Sequence, residues 1–395
     1  MGWSSNMVRK LSLRLWLITA LILALLFISS GIFITHLLTN RQLDESAQRL
    51  QLINSLRKQA LLTYFETAST ELTFWSLNPK LVSKQAELNA LWDNYAATQG
   101  DPGARLREVY VEKNPHPKGQ YRELVDTGIK NSRYNEIHVE LHPMARRFVT
   151  ERGYYDALLI TPNGNTLYSV EKEADFGAAL LDDSWRDTLL STTFQRAMAT
   201  PGKVIISDIA HYQPSGDAPT IFIARTMSNK NDQVLGVLVF QLPTDELRQI
   251  MHFKAGMGES GETYLVGQDY LMRSDSRFES SSTVLQKQVE TPAIENALAG
   301  NAGVMHIPDY RGIPVLSAYD YIDFDTFRWA IVAEIDRAEA LNKVSGIHAS
   351  LAGLMALFYV LALGSVWLIR GDDIESQEAL SLMLDTDNNE PEQPI

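Results

Sequence analysis

Cysteine is absent from the 395 residues. Disulfides, thiol chemistry and cysteine metal sites are therefore excluded, which fits an exported domain. Basic stripes are absent beyond the N-terminus, and the net charge of -13 argues against a nucleic-acid partner. No Ser-His-Asp or paired-carboxylate constellation stands out, so the chain does not read as an enzyme. His138 and His142 lie four residues apart, a spacing that can hold a metal. No glutamate adjoins His138 and no third ligand is evident, so the pair reads as two helix-face histidines packed against the stalk. Neither a metal nor a cofactor is expected. Gly258 and Gly261 set backbone turns rather than a phosphate loop.

Two long apolar runs are present, Leu15 to Leu38 and Ile347 to Ile369. Each is long enough to cross a hydrocarbon core of ~30 Å at ~1.5 Å per residue. The first is too long for the apolar core of a cleaved signal and lacks a small-x-small cleavage site, so it reads as an uncleaved anchor. Arg9, Lys10 and Arg14 precede it and Arg41 follows it, a moderate bias that places the N-terminus in the cytoplasm. The second run brings the chain back, with Arg370 at its cytoplasmic edge. The middle of the chain then lies outside the bacterial inner membrane, in the periplasm, with both termini cytoplasmic. Residues 371–395 hold eight acidic residues and no basic one. That tail is too short and polar for a folded domain. Ala379, Leu380, Leu382, Met383 and Leu384 allow a small docking helix; the other reading is a disordered tail.

Proline first occurs at Pro79, and glycine is missing from Arg41 to Leu77. Over that stretch Leu43, Ala47, Leu50, Ile53, Leu56, Ala60 and Leu61 recur at helical steps. A stalk rising from the membrane and a packing helix without signalling role both fit. A shorter helix is expected from Pro79 to Tyr95. Breaks follow at Thr98–Gly103 and Asn114–Gly119, then a helix over Ser132–Arg152, kinked or ended at Pro143. After Gly153 the period becomes two. The strings YDALLIT and NTLYSV flank a turn at Asn163-Gly164; KVIISDIA, TIFIARTMS and QVLGVLVFQLP make up a sheet of about five strands. A helix, TDELRQIMHF, leads to a second set: GETYLVG and LMRSDSRF around QDY, then AGVMHIPDY, IPVLSAYDYI and FRWAIVAEID. TPAIENALAG is a capped helix among them. Arg273, Asp275 and Arg277 read as a salt-linked edge.

This order resembles the double Cache sensor domain of bacterial chemoreceptors, sensor kinases and cyclases. The segments HPMARRFVTERGYYDALLITPNGNTLYSVEKEADFG, YQPSGDAPTIFIA and GESGETYLVGQDYLMRSDSRF carry the resemblance, which covers about Arg41 to Ala340. It implies an α+β fold: a long N-terminal stalk helix and two tandem Cache (PAS-like) antiparallel-sheet modules, flanked by two transmembrane helices. The implied divisions are 1–14 cytoplasmic, 15–38 membrane span, 39–131 stalk and helical region, 132–256 membrane-distal module, 257–346 membrane-proximal module, 347–369 second span and 370–395 acidic tail. Glu171 departs from the apolar or aromatic residue expected there, and the Arg-x-Trp-Tyr string of amino-acid binders is missing, so a free α-amino acid is not supported. Nor does a fused output domain follow the second span.

The resemblance implies a sensor subunit that binds a small ligand in the distal module and signals through its spans to a separate membrane or cytoplasmic output protein, with dimerisation through the stalk in keeping. The implied ligand residues are Tyr155, Lys172, Asp175, Trp185, Asp208, Tyr212, Phe222 and Arg225. Aromatics would wall such a site and charged groups would fix a ligand. The alternative is a structural or assembly subunit of an envelope complex that uses the same fold as a protein-binding surface.

Overall fold

The computed structural model describes residues 3–342, 350, 352–364 and 367. The acidic tail therefore lies outside the described residues, as do the ends of the second apolar run. The chain divides into two compact units, Met1–Gln48 with Arg337–Ile395, and Arg49–Asp336.

In the first unit, helix α1 (Trp3–Ser76) begins; among the described residues it is the one helix long and apolar enough to cross a membrane, with a mean hydropathy of 2.4 over its most apolar window. Leu21, Leu25, Ile32 and Phe33 along this part are exposed, as lipid-facing side chains would be. A shorter apolar helix covers Ala352–Gly364.

The second unit holds the rest of α1 and all the strands. Helix α2 (Pro79–Thr98) starts where Asn78 accepts hydrogen bonds from the amides of Lys80 and Leu81, with Pro79 in the first turn. Asp101 caps the short α3 (Pro102–Arg107) in the same way. Helix α4 (Arg133–Arg152) is capped by Ser132 and stopped by Gly153 in the left-handed region. It runs unbroken through Pro143, which is exposed, so the backbone partner it removes is exchanged for water.

The first sheet has six antiparallel strands: β1 (Asp156–Ile160), β2 (Thr166–Ser169), β3 (Ile205–Ile206), β4 (Ala210–Tyr212), β5 (Ala218–Ser228) and β6 (Val234–Pro243). Their order is β2-β1-β6-β5-β3, with β4 also on β5. KVIISDIA is thus two short strands. Ser207 stays on the ladder through its own N–H and hydroxyl, but Asp208 turns its carboxylate to its own neighbour's amide and beyond, which breaks the run. Alternation decides the layers. Ala157, Leu159, Ile221, Ile223, Leu238 and Phe240 pack on Leu61, Phe65 and Leu72 of α1 and on α2 and α4. Leu158, Ile160, Phe222, Ala224, Val237 and Val239 face α5 (Leu189–Ala199) through Leu190, Phe194 and Ala197.

Helix α6 (Asp245–His252) joins this sheet to a second of four strands: β7 (Glu262–Val266), β8 (Gly303–Pro308), β9 (Pro314–Asp323) and β10 (Arg328–Asp336), in the order β7-β10-β9-β8. Helix α7 (Pro292–Leu298) packs on it. LMRSDSRF is not a strand. Only single bridges form at Met272 and Leu271, because the Ser274 hydroxyl replaces a backbone carbonyl as acceptor for the Leu265 amide. Arg273 is buried rather than at an edge, and Asp275 holds Ser282 and the Thr283 amide.

Candidate binding site

On the α5 side of the first sheet the apolar alternation ends in polar residues. Asp156 continues the face of Leu158, and it lies cross-strand from Gln241, which continues the face of Val239. Thr220 does the same on β5. All three are buried. The Asp156 carboxylate accepts from the Ser169 hydroxyl at 2.6 Å and from the amides of Ala157 and Val170, each at 2.7 Å. Burial nevertheless pushes its pKa up to about 6. Ser169 in turn accepts from the Lys172 amide, so this one carboxylate sets how the chain leaves β2.

That exit, residues 171–177, forms one wall. Glu173 accepts from the Tyr155 hydroxyl at 2.7 Å and from the Ser215 hydroxyl at 2.6 Å. Tyr212 donates to Asp175 Oδ2 at 2.8 Å. Gln241 donates to Ser215 and Thr220 at 3.0 and 3.2 Å. Two acceptors in this network are buried and accept no hydrogen bond, Asp175 Oδ1 and Gln241 Oε1. An unpaired buried polar atom costs about 1–3 kcal/mol. Burial, aided by the Asp156 charge, pushes the Asp175 pKa up to about 7.

The wall is clamped from behind. Gly177 has φ 72°, and a β-carbon there would come within 2.8 Å of the Gly103 carbonyl oxygen on α3. Arg107 donates to the Gly177 carbonyl at 2.6 Å, and Phe176 is buried against Tyr110.

Two cavities of about 600 Å³ flank the turn at residues 213–216. One is lined by Tyr155, Glu171, Lys172 and Glu173, the other by Trp185, Thr188, His211 and Tyr212; both touch Gln213 and Pro214. The turn is therefore a partition, held by the bonds of Ser215. Glu171 at the rim pairs with Arg122 at 2.7 Å. His138 and His142 stack at 4.4 Å behind Lys172 and against Tyr110 and Tyr168, not against α1. No group of three His, Asp or Glu side chains able to hold a metal occurs among the described residues.

Of the residues singled out in the sequence, the structure brings Tyr155, Lys172, Asp175 and Tyr212 together. Trp185 stands at the adjoining cavity, and Phe222 backs Tyr212 edge-on at 4.9 Å. Asp208 and Arg225 belong elsewhere. Asp208 takes two bonds of 2.9 Å from Arg273 and one of 2.7 Å from the Trp329 indole, joining the first sheet to the second. Arg225 donates to Ser76 at the end of α1 and to the Gly202 carbonyl, because its strand position faces the helix layer. Asp156 and Gln241 carry one signal in the sequence, a polar residue at an inward strand position in YDALLI and VLVFQLP; Glu173 and Ser215 lie off the strands and carry none.

The clasp at Asp156 is built again in the second sheet. Glu262 opens β7 as Asp156 opens β1, accepts from the Ser276 hydroxyl and the Arg277 amide at 2.6 and 2.8 Å, and lies cross-strand from Glu334. There the Tyr310 hydroxyl occupies the other carboxylate oxygen at 2.7 Å.

A family model described as a Cache domain matches residues 39–344. No curated protein matches the chain. Solved structures that match include the periplasmic sensory domain of the Campylobacter jejuni chemoreceptor Tlp1, 12% identical with a TM-score of 0.39, covering 71% of this chain and 98% of that one. The ligand-binding domain of the Pseudomonas fluorescens chemoreceptor CtaA, in complex with L-serine, is 14% identical with a TM-score of 0.36, covering 64% of this chain and 97% of that one. That of the Pseudomonas aeruginosa chemoreceptor PctC, in complex with GABA, is 13% identical with a TM-score of 0.36, covering 63% and 98%.

Proposed function

The chain belongs to the Cache-domain family, and from that premise we propose that it is a membrane-anchored sensor of a small molecule, with its ligand site between the 171–177 wall and the 213–216 partition. The observation that carries this reading is the cavity of about 600 Å³ whose lining residues Glu173 and Ser215 are tied by hydrogen bonds to Tyr155 and Gln241. The first sheet is then the membrane-distal module, and α1 holds the folded unit on the periplasmic side of the inner membrane. A ligand gripped by the partition would displace β4 and, four residues upstream of Tyr212, Asp208. Through Arg273 and Trp329 that displacement reaches β10, whose end leads towards the C-terminal apolar run and an output protein. The ligand biases this shift only by its differential affinity for the two arrangements.

The test is thermal melting of the full chain in detergent against a metabolite library. A ligand at a hundred times its dissociation constant adds about 2.7 kcal/mol, a readily measured rise in Tm. Tyr212→Phe and Gln241→Ala are expected to weaken that rise. Tight co-purification with a membrane complex, with no compound shifting the melt, would favour the assembly role instead.

A further inference from the structure

A further cavity lies in the helix layer, among α2, α3, the π-helical turn Glu108–Glu112 and the start of α4, and it touches Leu167 of β2. It shares no lining residue with the two cavities beside the 213–216 turn. Its volume is about 390 Å³, within the range of small-molecule sites. Among the described residues no aspartate or glutamate lines it, whereas Arg105, Lys130 and Arg133 do. In a chain of net charge -13 that is a local inversion of sign. The acids that hold the two arginines lie off the lining: Glu108 for Arg105, Glu87 and Glu136 for Arg133. Lys130 has no carboxylate partner among the described residues.

The rest of the lining is largely aromatic and apolar. Tyr110 and Tyr134 meet edge to face at 5.3 Å, and both hydroxyls are in use, donating to Asn135 Oδ1 and to the Leu167 carbonyl. Trp92 and Tyr95 are half-buried beside them. The Trp92 indole N–H and the Tyr95 hydroxyl donate to no protein group among the described residues. The unused groups are therefore an indole N–H, a phenol and an ammonium, set among rings. The turn that places Val109 and Tyr110 on this lining is π-helical, a form that is rare and frequent at functional sites.

We propose that this cavity is a second binding site and that it takes a small aromatic carboxylate. The ring lies against Trp92, Tyr110 and Tyr134, and the carboxylate meets Lys130 and the two unused donors. A cleft lined by one sign of charge also draws the opposite sign in from solvent. A neutral aromatic gains the stacking without the charge, and an aromatic amine is repelled. Occupancy bears on the first site from behind. Tyr110 meets Phe176 edge-on at 6.1 Å, and the Tyr134 hydroxyl holds β2 at Leu167. Helix α3, which brings Arg105 and Leu106 to the cavity, also clamps Gly177 through Gly103 and Arg107. A ligand here therefore presses on the back of the 171–177 wall.

The experiment uses the full chain in detergent micelles. Benzoate, phenylacetate and 3-phenylpropionate are titrated beside their amides and beside phenethylamine, with calorimetry and hydrogen exchange as readouts. The expected result is that at least one carboxylate binds, that its amide binds about tenfold more weakly and that the amine does not bind. Exchange is expected to slow over residues 105–112 and 128–134. Lys130 is exposed, and Lys130→Glu is expected to weaken the carboxylate about tenfold. Should that variant fail to fold, the amide comparison and the exchange map of the wild type still decide. Equal binding by Lys130→Glu, or by the amide, overturns the proposal. Protection confined to residues 213–216 also overturns it, since the carboxylate then occupies the first site and the sensor reading stands. Silence from all three carboxylates overturns this proposal alone, because the sensor reading has its own test in the metabolite library.

Discussion

Asp175 sits where its charged form is disfavoured. With a folded pKa of about 7 and an unfolded value near ~3.9, the folded chain keeps a proton that the unfolded chain has lost. Its contribution is complete below the unfolded pKa and fades as pH rises through about 7. Asp175→Asn removes that slope. The variant is expected to gain on the wild type as pH goes from 5 to 8, by up to a few kcal/mol in urea melts; parallel curves would refute the assignment. His142 acts oppositely. Burial lowers its pKa to about 3, so its contribution is present above ~6.5 and lost on acidification. The sequence points to Tyr155, Lys172, Asp175 and Tyr212 as candidates because each adjoins a strand end or turn whose grammar is local. It does not point to Asp156 and Gln241 in that way. A strand's period says that they face inward with Leu158 and Val239, but whether a helix or a loop covers that spot is decided by α5 stopping short of it, which no local pattern states. Asp208 was misjudged for a related reason: its partner Arg273 lies 65 residues away.

At the scale of elements, helices with explicit punctuation were plain in the sequence: Asn78-Pro79, Ser132 with Gly153, and Thr291-Pro292 each bound a helix that forms, whereas Thr98–Gly103 reads as a break and Asp101 in fact caps α3 there. LMRSDSRF misled because its alternation is real while its hydrogen bonds go to Ser274 and Asp275 side chains. The packing of α3 on the 171–177 wall has no such signature, since it rests on two glycines distant in sequence. A β-carbon at Gly103 would meet the Gly177 carbonyl oxygen at 2.1 Å, and Gly177 itself has φ 72°. Gly177→Ala is therefore expected to cost about 3 kcal/mol, summing left-handed strain and a backbone clash. Because the damage falls on the wall carrying Asp175, ligand-induced stabilisation should fall with it. A Gly177→Ala chain that melts like the wild type would show that α3 and the wall are not in backbone contact. Gly312 (φ 79°) has open space around it, so Gly312→Ala serves as the control for strain alone.

For the whole molecule, Asp208, Arg273, Asp269 and Trp329 form the polar tie between the two sheets, with the Arg273 side chain 4% exposed. Arg273→Met leaves two carboxylates without their cation and should cost about 3 kcal/mol. More tellingly, ligand should slow hydrogen exchange in β10 of the wild type but only within the first sheet of Arg273→Met; equal protection of β10 in both would place the coupling elsewhere, such as through Asn54 of α1, which donates to the Ile331 carbonyl on β10. All of this presumes a ligand arriving from outside the cytoplasm, and the missing cysteine makes that directly measurable. Lys230, exposed on the loop between β5 and β6, accepts a Lys230→Cys change without touching the site. Since no other thiol exists, a membrane-impermeant maleimide can label only that position. Labelling of intact spheroplasts at the rate seen after lysis is the expected outcome. If lysis is required first, the sheets lie in the cytosol, α1 anchors them there, and the cavity samples cytoplasmic solutes rather than periplasmic ones.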